Sequence, residues 1–385
     1  MKHHIRRRAL AGVIALTSAT VLIGCSSSEG PSASEDAAAI KDGAPPVGSP
    51  VEGTIWVANE EGGSLSAIDV ATSRVVATVD GVDSPHNVQA SPDGATVWAV
   101  SGHRNAVVAL DAATLELVGT QATGAGPAHV VVSADGQRAY VTNAGDGTLT
   151  AYQTSDLASL GSVRLSNGPH GLRATADGTT LVVANTAAGG VDVVDAATLS
   201  VRASIPVGSS PVQVAVDGDG EFAYVSLAGE NAVAKVDLDG LKVVATVAVP
   251  SAPVQLYLSE DGTTLLSADQ GTETAPGRTL SVIDPSEMTV VASIETGAGP
   301  HGVVMDPTGA MAWVTNMYDD TVSVVDLRTK EIVATVPVGD KPNGISFSAL
   351  SIPAASPTLA EVAVPDYAEA DAGAEEGHEG SHDHG

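Results

Sequence analysis

Short apolar runs and polar turns alternate over most of the chain, in a pattern typical of half-buried β-strands. Between residues 54 and 350 the runs are separated by turns such as SPDG, SADG and SEDG, in which glycine supplies the backbone freedom that a tight turn needs. Val, Ala, Leu and Ile dominate the runs, and aromatic residues make up only 3% of the chain. The pattern predicts an all-β protein of many short strands.

The strand pattern repeats every 42 residues. A proline heads one apolar run in each repeat, with steps of 42, 42, 42, 42, 47 and 42 residues between Pro85, Pro127, Pro169, Pro211, Pro253, Pro300 and Pro342. Each repeat predicts four strands, A to D, of which strand A follows the proline and strand C ends in aspartate in most repeats. A repeated four-stranded unit of about this length is typical of a propeller blade.

The first and last repeats are incomplete in complementary ways. The chain enters at residues 54–59 as a strand B and runs through strands C and D, and it leaves after Pro342 as a lone strand A. Six whole repeats and one blade shared by both ends predict a seven-bladed β-propeller of four-stranded blades over residues 54–350. Such closure removes the free sheet edges that invite aggregation.

The strand B segments are themselves distinctive, with AYVTN at residues 139–143, AWVTN at residues 312–316 and the variants IWVAN and LVVAN. They resemble the YVTN-repeat family of seven-bladed propellers, and the resemblance extends over about residues 54–350. It implies the propeller fold. It does not select an activity, because the family is implied to include surface-layer proteins, lactonases, a streptogramin lyase and redox-enzyme subunits.

The amino-terminal segment predicts export and lipid anchoring. Lys2 and Arg6–Arg8 precede an apolar run too short to span a membrane comfortably, as in a signal peptide. The segment LIGC, residues 22–25, resembles the lipobox of bacterial lipoproteins, which implies cleavage before Cys25 and lipidation of this single cysteine. We expect residues 1–24 to be a signal peptide, residues 25–53 a flexible tether, and the protein to be membrane-anchored in a bacterial cell envelope, outside the cytoplasm.

The charge of the chain limits the classes of molecule that it is expected to bind. The chain has 17 basic and 46 acidic residues and a formal charge of −29, which becomes −33 when residues 1–24 and their four basic residues are removed. This negative field repels nucleic acid and anionic lipid headgroups. We expect a monomer that binds no nucleic acid and touches the membrane only through the lipid on Cys25.

Histidines concentrate at the head of strand A, twice in the sequence GPHG. The first two positions after the seven prolines hold four of the eight histidines that follow Cys25, namely His86, His129, His170 and His301. Random placement would put about 0.3 histidines there. Because strand A lines the channel of such a propeller, we expect these four imidazoles, the histidine rim, to meet at the channel mouth on the face of the B–C loops.

Two interpretations of the histidine rim remain open. In the first, the rim is a binding site, either for Zn or Cu, because imidazole is the commonest metal ligand, or for a small anionic ligand. His129 is its weakest member, because alternation along the strand could turn it away. Alternatively, the histidines cap turns or bridge neighbouring blades. Other candidate ligand-binding residues at this face are Gln213, Gln255 and Asn343, from the same repeat positions, and His103 in a B–C loop.

No motif such as GxSxG or HExxH occurs in a suitable context, so we expect a binding module for a protein partner or small ligand rather than an enzyme. The alternative is a metal-assisted lyase or lactonase that uses the rim histidines. The five extra residues of the fifth repeat lie in its B–C loop, residues 269–278, and are expected to overhang the channel mouth.

The remaining expectations concern structural positions and the acidic tail. The aromatic residues of strand B are expected to pack between blades, the aspartates after strand C to form turns, and the asparagines that end strand B to form turns as well. The tail, residues 351–385, is predicted to be disordered and to leave from the face opposite the rim. Its three histidines, His378, His382 and His384, could bind metal loosely or pass it to the rim.

Overall fold

The computed structural model describes residues 51–352 and 357–368, which are almost entirely strands and turns. In chain order the strands are β1 Thr54–Asn59, β2 Ser64–Asp69, β3 Arg74–Asp80, β4 Val88–Ala90, β5 Thr96–Ser101, β6 Ala106–Asp111, β7 Leu117–Ala122, β8 Pro127–Val132, β9 Arg138–Asn143, β10 Thr148–Gln153, β11 Ser159–Arg164, β12 Pro169–Ala174, β13 Thr180–Asn185, β14 Gly190–Asp195, β15 Ser200–Pro206, β16 Pro211–Val216, β17 Phe222–Leu227, β18 Ala232–Asp237, β19 Lys242–Ala248, β20 Pro253–Leu258, β21 Leu265–Thr272, β22 Ala275–Asp284, β23 Thr289–Glu295, β24 Pro300–Met305, β25 Met311–Asn316, β26 Thr321–Asp326, β27 Glu331–Pro337, β28 Pro342–Ser348 and β29 Thr358–Glu361.

These strands form seven sheets, the blades of a propeller. Blades one to six, which begin at β4, β8, β12, β16, β20 and β24, each contain four consecutive antiparallel strands. Blade seven takes its strand A from the carboxyl end of the chain and the others from the amino end, in the order β28-β1-β2-β3. The seven A strands contact one another in a closed ring. The predicted seven-bladed propeller with a shared blade is therefore confirmed.

A fifth strand extends the shared blade. β29 pairs in parallel with β3, and beyond it Tyr367 donates its backbone N–H to the carbonyl of Arg104 in the B–C loop of blade one. Residues 357–368 are thus ordered, although the composition predicted disorder from residue 351. Because β29 runs alongside a D strand, it leads towards the face of the B–C loops. The chain leaves strand A at the face opposite the rim, where Thr54 donates a hydrogen bond to the carbonyl of Leu350, but β29 then returns it towards the rim face.

The tryptophans of strand B pack between blades, as predicted. Trp56, Trp98 and Trp313 are at most 1% exposed, and each lies in a cluster with apolar residues of the following blade. Their regular spacing therefore joins successive sheets into one continuous core. In the described part of the chain, no helix has the length and apolar character needed to cross a bilayer.

The aspartates and asparagines of the repeat have different roles. Asp111 accepts hydrogen bonds from the backbone N–H groups of Ala113 and Thr114 and so forms the predicted C–D turn. Three of the four asparagines instead join two strands. Asn143 Nδ2 donates to the hydroxyls of Thr148 and Thr150, both at 3.0 Å, and so links the end of strand B to strand C. Asn59 and Asn316 make the same links, so the expectation that they form turns is wrong for these three residues. Asn185 instead donates within its own strand, to the carbonyl of Val183.

The two glycines of each GPHG sequence are needed for different reasons. The first glycines, Gly168 and Gly299, have φ angles of 75° and 66°, in the left-handed region that glycine occupies without steric cost. A Cβ on Gly302 would lie 2.4 Å from the carbonyl oxygen of Asn343 in the next blade. The second glycine therefore allows two A strands to approach closely beside the histidine.

We expect Gly302→Ala to lower the free energy of unfolding by about 1–3 kcal/mol, because the added methyl group must displace the backbone of the next blade. Urea denaturation measures the change. Gly218→Ala is the matched control, since a Cβ there would meet no atom within 4 Å. Equal destabilisation by the two substitutions would contradict the close-approach explanation.

Candidate metal centre at the channel mouth

Four A strands carry the rim histidines to one end of the channel. His129, His170 and His301 lie in β8, β12 and β24, within two residues of the opening proline, and His86 lies just before β4. In β8, β12 and β24 the register with strand B shifts directly after the proline. Such irregularities re-aim side chains and are common beside functional sites.

Three of the imidazoles form a compact group. One ring nitrogen from each of His86, His129 and His170 lies within 4.8 Å of the other two. The Nε2 atoms of His86 and His170 are 3.2 Å apart. Two nitrogens bound to one tetrahedral Zn²⁺ at ~2.0–2.1 Å would be about 3.3 Å apart. The observed separation therefore suits shared coordination of one ion.

His129 belongs to this group and is not turned away. Its ring centroid is 4.8 Å from that of His170 and 5.5 Å from that of His86, and only 5% of the residue is exposed. Simple alternation fails here because Pro127 lies opposite Asn143 while His129 lies opposite the neighbouring Thr142. The register shift brings the second residue after the proline into the channel.

His301 lies at the same mouth but outside the compact group. Its ring centroid is 6.1 Å from that of His86. Its Nδ1 is buried and has no hydrogen-bond partner among the described residues. The structure thus brings all four rim histidines together and places three of them around one point.

A carboxylate that the sequence analysis missed completes the site. Glu60 follows strand B of the shared blade; its Oε1 is 3.2 Å from His86 Nδ1, and its Oε2 accepts a 2.7 Å hydrogen bond from Asn343. Burial raises the pKa of Glu60, but the hydrogen bonds and the attraction to His86 outweigh it and lower the pKa to about 2. In the other six repeats the residue at this position is uncharged. This contrast could have identified Glu60 as a candidate site residue from the sequence.

Three of the rim imidazoles have lowered pKa values, which favour the neutral form. Burial, together with the neighbouring histidines, lowers the pKa of His170 and of His301 to about 3. The same causes lower the pKa of His129 well below 6.5. Neutral imidazole is the form that binds metal, because protonation occupies the lone pair.

Hydrogen bonds orient the ring nitrogens. His170 Nδ1 donates to the carbonyl oxygen of Val212 at 3.1 Å, which leaves a lone pair on its Nε2. If His86 carries its proton on Nδ1, beside Glu60, its Nε2 also has a free lone pair. This tautomer gives the carboxylate–histidine pairing that is common at metal ligands. Asn343 Nδ2 lies 3.0 Å from the same Nδ1 and can donate to it when Nδ1 carries no proton. In that other tautomer, His86 donates from Nε2 to His170. The geometry therefore suits either a shared proton or a cation between the two Nε2 atoms.

The other candidate residues have different surroundings. Gln213 Nε2 is 3.5 Å from His129 Nδ1, at the edge of the group. Gln255 accepts a 3.0 Å hydrogen bond from the backbone of the next blade and so joins two blades. His103 is exposed and pairs with an aspartate away from the group. Cys25, His378, His382 and His384 lie outside the described residues.

Space beside the histidines is small. Among the described residues, the cavity that adjoins His129, His170 and His301 has a volume of about 10 Å³. A single water needs a comparable volume. The arrangement thus offers nitrogen ligands to an ion and little room for an organic substrate.

The sequence model of the YNCE-like beta-propeller family matches residues 31–307. The chain belongs to this family. Among solved structures, hydrazine synthase from Kuenenia stuttgartiensis is 21% identical, with a TM-score of 0.63 over 69% of this chain and 90% of that chain. A functionally unknown protein from Desulfotomaculum acetoxidans is 14% identical, with a TM-score of 0.68 over 77% and 99%. The dihydro-haem d1 dehydrogenase NirN in complex with DHE is 17% identical, with a TM-score of 0.59 over 76% and 74%. These likenesses show the fold, and no curated protein is significantly similar in sequence.

An insertion distinguishes blade five of this YNCE-like propeller. The extra residues lengthen the β21–β22 hairpin, in which Gln270 contacts Met317 of blade six at 3.1 Å. Farther along, Glu273 forms a 3.0 Å ion pair with Lys341, the residue before Pro342 of the shared blade. The hairpin therefore lies across blade six on the rim face and reaches the shared blade.

Proposed function

We propose that this YNCE-like propeller binds a transition-metal ion at its histidine rim. The observation that carries the proposal is the group of three imidazole nitrogens within 4.8 Å of one another. Nitrogen ligands without thiolates favour Zn²⁺ or Cu²⁺ over hard cations such as Mg²⁺ and Ca²⁺. His86, His129 and His170 would supply three ligands, and water or His301 the fourth.

The surroundings of the group favour a cation. The formal charge of the chain is −29, which raises the local concentration of cations. Glu60 would act through His86, because an outer carboxylate fixes the ring orientation and makes the imidazole more basic. The role of Glu60 is therefore positioning rather than ligation.

The proposed setting is the bacterial cell envelope, with the protein held at a membrane by lipid on Cys25. There the rim would capture metal and exchange it with a protein partner or with the histidines of the tail. The path of β29 supports such exchange, since the described chain ends at Ala368 near the B–C loop of blade one. His378 is ten residues farther on, a span of at most about 36 Å when extended.

The alternative, a metal-assisted lyase or lactonase, would need space for its substrate beside the histidines. The adjoining cavity of about 10 Å³ is far below the ~300–1,000 Å³ of ordinary small-molecule sites. We therefore favour metal binding without catalysis.

Titrating Zn²⁺ and Cu²⁺ into a variant with His378, His382 and His384 all replaced by alanine isolates the rim site. We expect one ion per chain with a Kd of about 1 μM or tighter, measured by calorimetry and confirmed by metal analysis after dialysis. The unchanged protein should bind additional ions more weakly. A variant that binds neither metal below about 1 mM would contradict the proposal.

A further inference from the structure

The channel widens at the end opposite the histidine rim. A cavity of about 470 Å³ lies there, lined by the later residues of the A strands and by the A–B turns. This volume lies within the range of ordinary small-molecule sites. We call it the distal cavity.

One cation projects into the distal cavity. Arg173 occupies the fourth position after its proline and lies opposite the central residue of strand B. The equivalent residues in three other blades are Val131, Ala215 and Val304, in the same register. Since those blades form with small apolar side chains at this position, the fold does not require an arginine there.

The charge of Arg173 is poorly compensated within the described chain. Its Nη1 donates to the neighbouring carbonyl of Leu172 at 3.0 Å, but its guanidinium forms no ion pair with any carboxylate of the described residues. Burial also lowers the pKa of Arg173. Arg173 is only partly buried, but a charge that is partly removed from water and has no counterion is still unfavourable, and an anion bound from outside would relieve that cost.

The other residues that line the cavity indicate which class of anion would fit. Val131, Val304 and Phe347 supply apolar surface, and Tyr257 adds a hydroxyl. Glu260 also lines the cavity and would repel a second negative charge. We propose that the distal cavity binds a small organic monocarboxylate with an apolar body, and that Arg173 is its counterion. This site lies at the other end of the channel from the rim and does not rest on the proposed metal function.

Matched probes test the proposal on the purified protein. The probes are 2-naphthoate and octanoate, the neutral 2-naphthalenemethanol and the dianionic 1-naphthyl phosphate, measured by calorimetry and saturation-transfer NMR. We expect at least one carboxylate to bind with a submillimolar Kd, and the neutral and dianionic probes to bind at least about tenfold more weakly.

Arg173→Met should weaken carboxylate binding by at least about tenfold without lowering the melting temperature of the ligand-free protein, because it removes an uncompensated charge. Arg74→Met, at an exposed position of β3, should change neither property. A lower melting temperature with unchanged carboxylate binding would make Arg173 structural and overturn the proposal. Failure of both carboxylates to bind below about 10 mM would overturn it too.

Discussion

Replacing His86 and His170 together with alanine is expected to weaken Zn²⁺ binding by on the order of 100-fold or more in protein whose tail histidines are already replaced. The two residues contribute the Nε2 atoms that lie 3.2 Å apart, so the double variant retains only His129 from the compact group. One imidazole holds a first-row ion weakly, because the remaining positions return to water. Calorimetric titration at pH 7.5 measures the loss.

His103→Ala is the matched control for that experiment. His103 lies on the same face but is exposed and pairs with Asp83, so Zn²⁺ affinity should not change. Glu60→Gln should have an intermediate effect of about tenfold, since it removes the carboxylate partner of His86 and leaves all three ligands. If the double variant binds Zn²⁺ as tightly as its parent, the rim histidines only join blades.

The propeller was predictable because one proline spacing sets the same strand order in every blade. The shared blade followed from the same spacing, since residues 54–80 and residues 342–348 supply complementary strands. The strand β29 was not predictable in this way. Its segment lies outside the repeat and has a low-complexity composition, and it becomes a strand by pairing with the open edge of β3.

The sequence repeat predicted the location of the candidate site more accurately than it predicted which residues form the compact group. It located all four rim histidines at one mouth, because each is the first or second residue after its proline. It could not identify the compact group, since the inward turn of His129 depends on a register shift that alternation ignores. Glu60 was missed because it belongs to a loop of the shared blade, and only the closure of the ring brings that loop beside His86.

Asp269 occupies the repeat position in blade five that is held by asparagine in four other blades, namely Asn59, Asn143, Asn185 and Asn316. It is fully buried. Its carboxylate oxygens accept hydrogen bonds of 2.7 and 2.6 Å from two serine hydroxyls. Burial raises its pKa from 3.8 to about 7, and the serine hydrogen bonds offset only part of this effect.

Asp269→Asn is therefore expected to stabilise the protein, and more strongly as the pH rises. A carboxyl group with a raised pKa in the folded state contributes its full stability below its unfolded pKa, and this stability is lost as the pH rises through the folded value. Asparagine does not ionise and can donate to the serine hydroxyls, as Asn143 does to threonine hydroxyls in blade two. The gain should reach about 2–4 kcal/mol above pH 7.

Urea denaturation at pH 5.5 and pH 8.5 separates this ionisation effect from a general improvement in packing. Since the pKa of Asp269 lies between these values, the gain from Asp269→Asn should be about 2 kcal/mol larger at pH 8.5 than at pH 5.5. Asn143→Asp provides the reverse test, because it places the same buried carboxyl in blade two and should destabilise the protein increasingly as the pH rises. A gain that is equal at the two pH values would show that Asp269 is already ionised in the folded protein at pH 5.5, so that its pKa is not raised into this range.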